Sequence, residues 1–102
     1  MDEKTMDAYN GILEELADAR KQIEGKKHNG HTYISAETAD TEICLASDKI
    51  TIYSNGCMAI YDYKDGNAKQ RNNVLDDCIV QNCVKDWEIL RLQLEVYLMR
   101  CN

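Results

Sequence analysis

Residues 74–100 read VLDDCIVQNCVKDWEILRLQLEVYLMR, and the way this stretch folds decides the architecture of the chain. Wound at 100° per residue it becomes a helix with two apolar sides. Leu75, Ile79, Cys83, Trp87, Leu90, Leu94, Tyr97 and Cys101 fall on one side; Cys78, Ile89, Leu92, Val96 and Met99 fall on the other. The gaps are polar, with Asp77, Glu88, Arg91 and Glu95 in one and Asp86, Gln93 and Arg100 in the other. Ile79-Val80 are β-branched and also suit a strand, but helical spacing unbroken through Cys101 decides for helix. Asn72 or Asn73 is the expected cap. Asp76 and Asp77 in the first turn and Arg100 in the last suit the helix dipole.

A helix on the surface of a domain needs one apolar stripe, so two stripes demand cover on two sides. Such a helix is about 40 Å long at 1.5 Å per residue. A compact chain of this size has a radius of gyration of about 13 Å, so the helix is expected to overhang its own domain. Ile89, Leu92, Val96 and Met99 repeat at 3-4-3 spacing, the seam of a helix pair. Either the N-terminal helix of the same chain covers this seam, giving a monomer, or a second copy does. The overhang favours the second, a two-fold homodimer with these four residues as its interface.

Working outward, residues 5–24 form the second helix, with Tyr9, Ile12, Leu13, Leu16, Ala19 and Ile23 on one face. Thr5 suits the N-cap and Gly25 the stop. Asn10-Gly11 is a weak point, because Gly costs about 1 kcal/mol against Ala inside a helix. The alternative start is Ile12, capped by Asn10. Lys26-Lys27-His28-Asn29-Gly30 is a connector rich in turn formers.

Between the helices lies a β-meander over residues 31–63. Asn55-Gly56 is the favoured pair for a two-residue hairpin. It sets Ile52 against Ala59, Ile50 against Tyr61 and Lys49 against Asp62. A second turn at Ser47-Asp48 sets Leu45 against Ile50 and Ile43 against Ile52. Both turns place Ile43, Leu45, Ile50, Ile52, Ala59 and Tyr61 on one face, and this agreement between local and global signals supports the meander. The opposite face carries Glu42, Cys44, Lys49, Thr51, Tyr53, Met58, Ile60 and Asp62. His31–Ala36 is a candidate fourth strand, and Lys64-Asp65-Gly66-Asn67 is read as a turn. The expected fold is α+β, a single domain over 1–102: N-terminal helix, three- to four-stranded antiparallel meander, long C-terminal helix.

The chain of 102 residues carries a net charge of −6. Acids concentrate in residues 1–25, with seven against three bases, and in 36–66, with six against two. Such a surface disfavours nucleic-acid phosphates and anionic membranes and favours a basic partner. The acidic opening Met1-Asp2-Glu3-Lys4 is unlike a signal peptide and no apolar run reaches membrane length, which implies a cytoplasmic protein. The five cysteines, at 44, 57, 78, 83 and 101, have no framework spacing and read as reduced, mostly buried residues.

Candidate chemistry is sparse. His28 and His31 with Cys44 make a poor metal set, flanked by lysines that repel a cation. Cys78 and Cys83 diverge by about 140° on a helix and cannot clasp one zinc. Cys57, next to the hairpin turn, reads as the more exposed thiol, without an assured base beside it. The pairs Glu14-Glu15 and Asp76-Asp77 diverge by 100° and do not converge on one atom. No Gly-rich phosphate loop is present, and the residues imply no cofactor and no metal.

More weight falls on the tyrosines of the meander, Tyr33, Tyr53, Tyr61 and Tyr63, which lie among Glu42, Asp48, Asp62 and Asp65. Aromatic anchors beside carboxylates suit a partner rich in Arg and Lys. Glu42, Tyr53, Asp62, Tyr63 and Asp65 are the candidate partner-binding residues. The expected function is therefore a non-enzymatic, acidic protein-interaction module, dimeric, binding a basic surface of another protein. In size and charge it is similar in general character to phage- or mobile-element-encoded inhibitors of host defence nucleases that act by nucleic-acid mimicry. The rival is a nucleotide-binding or sequestering protein in which Tyr, Lys26, Lys27, Lys69 and Arg71 hold an anion; a small assembly protein is a further alternative. An enzyme would require Cys57 or His31 in a cleft with a shifted pKa.

Overall fold

The computed structural model describes residues 1–25, 34–72 and 74–100. The element order is α1 (Glu3–Gln22), β1 (Ile34–Glu37), β2 (Glu42–Leu45), β3 (Lys49–Ser54), β4 (Cys57–Lys64), β5 (Asn67–Gln70) and α2 (Asp77–Arg100). The strands form one antiparallel sheet in the order of the chain. The fold is α+β, with one strand more than the sequence suggested.

Register follows from the turns. Asn55 and Gly56 both take positive φ, 50° and 79°, the conformation of a type I′ hairpin. Ile52 pairs with Ala59, Ile50 with Tyr61 and Lys49 with Asp62, as the turn requires. Leu45 faces Ile50 and Ile43 faces Ile52 across the preceding turn. The added strand, β5, follows a second such turn at Asp65-Gly66, with φ of 53° and 86°. Its sequence, Asn-Ala-Lys-Gln, lacks apolar alternation, so only the Asp-Gly pair announced it.

One face of the sheet is covered and the other is open. Ile34, Ala36, Ile43, Leu45, Ile50, Ile52, Ala59 and Tyr61 point to the helices and are buried. They join Tyr9, Ile12 and Leu16 of α1 and Ile79, Val80, Cys83, Leu90 and Leu94 of α2 in one core. Tyr9 and Tyr61 share a buried hydrogen bond between their hydroxyls at 2.6 Å. Burial raises both phenol pKa values.

Helix ends differ in detail from the sequence reading. Asp2, not Thr5, caps α1: its carboxylate accepts the Thr5 N–H at 2.7 Å, and this bond lowers the Asp2 pKa. The helix runs through Asn10-Gly11 unbroken and does not start at Ile12. A Cβ at Gly11 would meet nothing within 4 Å, so the defect lies in open space. Gly25 takes φ 75° just beyond the end, as a stop requires. Asn72 does not cap α2; its Oδ1 accepts the Ile60 N–H at 2.7 Å and its amide reaches the Met58 carbonyl, closing the margin of β4. The Asp76 carbonyl instead receives the Ile79 and Val80 N–H groups.

The molecule measures 39 × 25 × 23 Å. A helix of α2's length spans about 36 Å, which fits only along the longest dimension. α2 thus lies along the long axis and accounts for most of that dimension. No helix of the described residues is long and apolar enough to cross a membrane.

Candidate interaction surfaces

The outward side chains of the sheet form rows across the strands, because opposite residues share a face. The first row is Glu37, Glu42, Tyr53 and Met58; the second is Ser35, Cys44, Thr51 and Ile60; the third includes Lys49, Asp62 and Lys69. Charge is polarised along this face. In the third row Asp62 pairs with Lys49 and Lys69 across the strands and is held by the Arg71 guanidinium. The Arg71 hydrogen bond keeps the Asp62 carboxyl below the usual range.

The first row has no such balance. Glu37 and Glu42 stand directly opposite each other, and neither makes an ion pair among the described residues. Like charges placed this way disfavour the sheet. Beside them Tyr53 is 41% exposed and Met58 39%. A groove of about 510 Å³ opens at this end, lined by Thr38, Asp40, Glu42, Tyr53, Cys57 and Met58 among others.

The predicted partner-binding residues do not all meet. Glu42 and Tyr53 are direct cross-strand neighbours. Asp62 shares their face but lies four positions along β4 from Met58, roughly 13 Å away at 3.3 Å per residue. Asp65 sits in the turn at the far end of β4. Tyr63 is on the covered side and 6% exposed, with its ring 4.8 Å below the guanidinium of Arg20. Alternation along β4 put it there, one residue on from outward-facing Asp62. Tyr33, Lys26, Lys27, His28 and His31 lie outside the described residues.

Several pairings were not visible in the sequence. Arg20, 5% exposed, donates from Nε to the Ala46 carbonyl and from Nη2 to the Ser47 carbonyl, tying α1 to the β2–β3 turn. Gln93 of α2 docks on the backbone of β1: the Glu37 N–H donates to its Oε1 at 2.9 Å, and its Nε2 donates to the Glu37 carbonyl at 2.8 Å. One amide thus occupies both polar groups that Glu37 would otherwise leave on a free edge. Thr38 donates to Asp86 at 2.7 Å and Lys85 to Asp40 at 2.7 Å, fixing the β1–β2 turn against α2.

Cys57 is half-buried, as are Cys44 and Cys78, while Cys83 is buried, and the neighbour of Cys57 is Cys78. Cys57 pairs with Ser54 across the hairpin, while the Cys78 thiol reaches the Ser54 carbonyl at 3.8 Å. Hydrogen bonding to Cys78, with burial and Asp76, pushes the Cys57 thiol up to about 11. Burial pushes Cys83 up to about 12 and also raises Cys44. These shifts run opposite to those of an activated nucleophile. Among the described residues no three His, Cys, Asp or Glu side chains gather as a metal would require.

The second stripe of α2 is bare. Ile89 is 55% exposed, Leu92 51%, Val96 45% and Met99 85%. The N-terminal helix does not cover it, so the monomer alternative, in which that helix closes the seam, is not met among the described residues. Instead α1 packs beside Trp87, Leu94 and Leu98. On the polar flank Arg91 bridges Glu88 at 2.5 Å and Glu95 at 2.7 Å.

No family model, no characterised protein and no solved structure matches this chain.

Proposed function

We propose that this protein is a non-enzymatic, acidic protein-interaction module that offers the first row of its open sheet face to a basic surface on another macromolecule. The observation that carries the reading is the Glu37–Glu42 pair: two carboxylates set face to face without a cation among the described residues, beside exposed Tyr53 and Met58. Their mutual repulsion is relieved when a guanidinium or ammonium enters between them, and Tyr53 offers a ring face to the same cation. Folding does not need this arrangement; binding a cation does.

The partner class that this reading favours is a nucleic-acid-handling protein with a basic groove, such as a nuclease of host defence, in which carboxylates stand in for phosphates. The bare stripe on α2 supports a homodimer as the working form, since a row of four large apolar side chains on one helix marks a contact surface. The nucleotide-binding reading has less support. Of its cations, Arg71 is engaged by Asp62, and Lys69 faces the same carboxylate across the strands.

Calorimetry with an Arg-rich peptide and with a panel of nucleotides tests the choice. Peptide binding that weakens about tenfold or more in Glu37→Lys/Glu42→Lys, a change of roughly 1.4 kcal/mol, and that fades with added salt is the expected result. Heat from nucleotides and none from the peptide overturns it.

A further inference from the structure

We infer that the bare stripe of α2 is the seam of a parallel, in-register pair with a second copy of this chain. The inference rests on the dimer just proposed and adds its orientation. Written as a heptad, the stripe has Ile89 and Val96 at a and Leu92 and Met99 at d, all exposed. β-Branched residues at a with Leu at d favour a two-stranded parallel pair. In that arrangement each residue of the seam meets its own equivalent.

The flanks choose between parallel and antiparallel. Glu88 and Glu95 occupy g; Gln93 and Arg100 occupy e. In a parallel pair each g meets the e five residues further along its partner. Glu95 then faces Arg100 of the second copy, twice by symmetry, while Glu88 faces the uncharged Gln93, whose amide stays engaged by the Glu37 backbone. Arg91 holds Glu95 from the other side, and Arg100 makes no ion pair among the described residues. An antiparallel pair brings the two g flanks together instead, setting the glutamates of one helix against those of the other.

The seam also ends where it should. The next d position toward the N-terminus is Lys85, whose ammonium is drawn 2.7 Å from Asp40. A cation at d separates the helices there. The seam from Ile89 to Met99 is only about 15 Å long, so the pair is weak and concentration-dependent.

Orientation has a functional consequence. Lys85, Asp86, Asn82 and Cys78 bind α2's N-terminal half to Asp40, Thr38 and Ser54, at the groove end of the sheet. Parallel pairing therefore brings both grooves to the same end of the dimer, where one extended basic partner engages both and gains avidity. Antiparallel pairing sends them to opposite ends.

The test combines mass with charge exchange and cross-linking. Sedimentation equilibrium is expected to show a monomer–dimer equilibrium that Leu92→Asp/Val96→Asp shifts to monomer, by on the order of 100-fold in dissociation constant, with the circular dichroism of the monomer unchanged. Glu95→Arg and Arg100→Glu each weaken the dimer, and the double exchange restores it. In a Cys101→Ser background, Met99→Cys cross-links to itself under diamide, which takes up the two thiol hydrogens. A chain that remains monomeric at millimolar concentration overturns the seam but leaves peptide binding on the sheet face to be judged separately. A dimer in which Met99→Cys joins only to Ile89→Cys, and in which the charge exchange restores nothing, overturns the parallel orientation alone.

Discussion

The two sides of α2 are both apolar and have opposite fates. Ile79, Val80, Cys83, Leu90 and Leu94 are sealed in the core, while Ile89, Leu92, Val96 and Met99 stand in solvent. On paper the covered side is the longer stripe, yet both sides are apolar enough to call for cover. What separates them is that α1 and the sheet approach from a single direction, and one helix cannot be covered twice by one layer. An apolar stripe in a sequence therefore states a need for cover, not its source.

Substitutions should bring out this difference in fate. The largest effect is expected from Leu90→Ala, which empties a fully buried site and should cost about 2–5 kcal/mol in denaturant unfolding. Leu92→Ala, two residues away, should change monomer stability by less than about 0.5 kcal/mol, because its surface is already half wet. Equal losses at the two sites would mean that the stripe is covered within the folded monomer.

Arg20→Ala comes next. It strips two charge-assisted bonds from the β2–β3 turn and leaves the Ala46 and Ser47 carbonyls without that donor. A loss of about 1.5–3 kcal/mol is expected from thermal or urea melting. Arg20→Lys should restore only part, since an ammonium lacks the fork that spans both carbonyls.

Gln93→Ala is smaller, about 1 kcal/mol, but it has a second signature. It reopens the polar edge of β1 at Glu37, so faster hydrogen exchange at the Glu37 amide and increased aggregation are expected together. Stability loss without added exchange at Glu37 would deny the amide its sealing role.

The smallest effect on folding and the most specific on reactivity concerns Cys57. With its thiol held up to about 11, against an ordinary value near 9.0, the nucleophilic thiolate is scarce at neutral pH. Iodoacetamide labelling should climb with pH to a midpoint near that value. In Cys78→Ala the midpoint should fall, because the hydrogen bond that raises it most is gone. An unchanged midpoint would show that the two sulfurs do not interact.

Much of the fold was legible. Asn55-Gly56 and the Ser47-Asp48 region fix the register of three strands, because a turn of known length dictates which residues face each other and alternation does the rest. Gly25 marked the end of α1 for a similar local reason. β5 escaped notice because it is a polar edge strand that buries little, leaving only the Asp-Gly turn to signal it. The candidate site was half legible. Glu42 and Tyr53 follow from the meander register, and so does the inward placement of Tyr63, had alternation been carried one residue beyond Asp62. Glu37 was not singled out, since its face-to-face position with Glu42 depends on where β1 begins.

What the residues determined alone are the features set by short-range geometry: helical spacing in α2, strand alternation and the paired turns. What the tertiary structure alone decided is which surfaces meet. Arg20 reaching the β2–β3 turn, Gln93 sealing β1 and Cys57 beside Cys78 join segments 21 to 56 residues apart, and the bare seam on α2 is what that packing leaves uncovered. Those meetings depend on how layers pack, and packing is a property of the assembled body, which no local rule of dihedral angle or periodicity encodes.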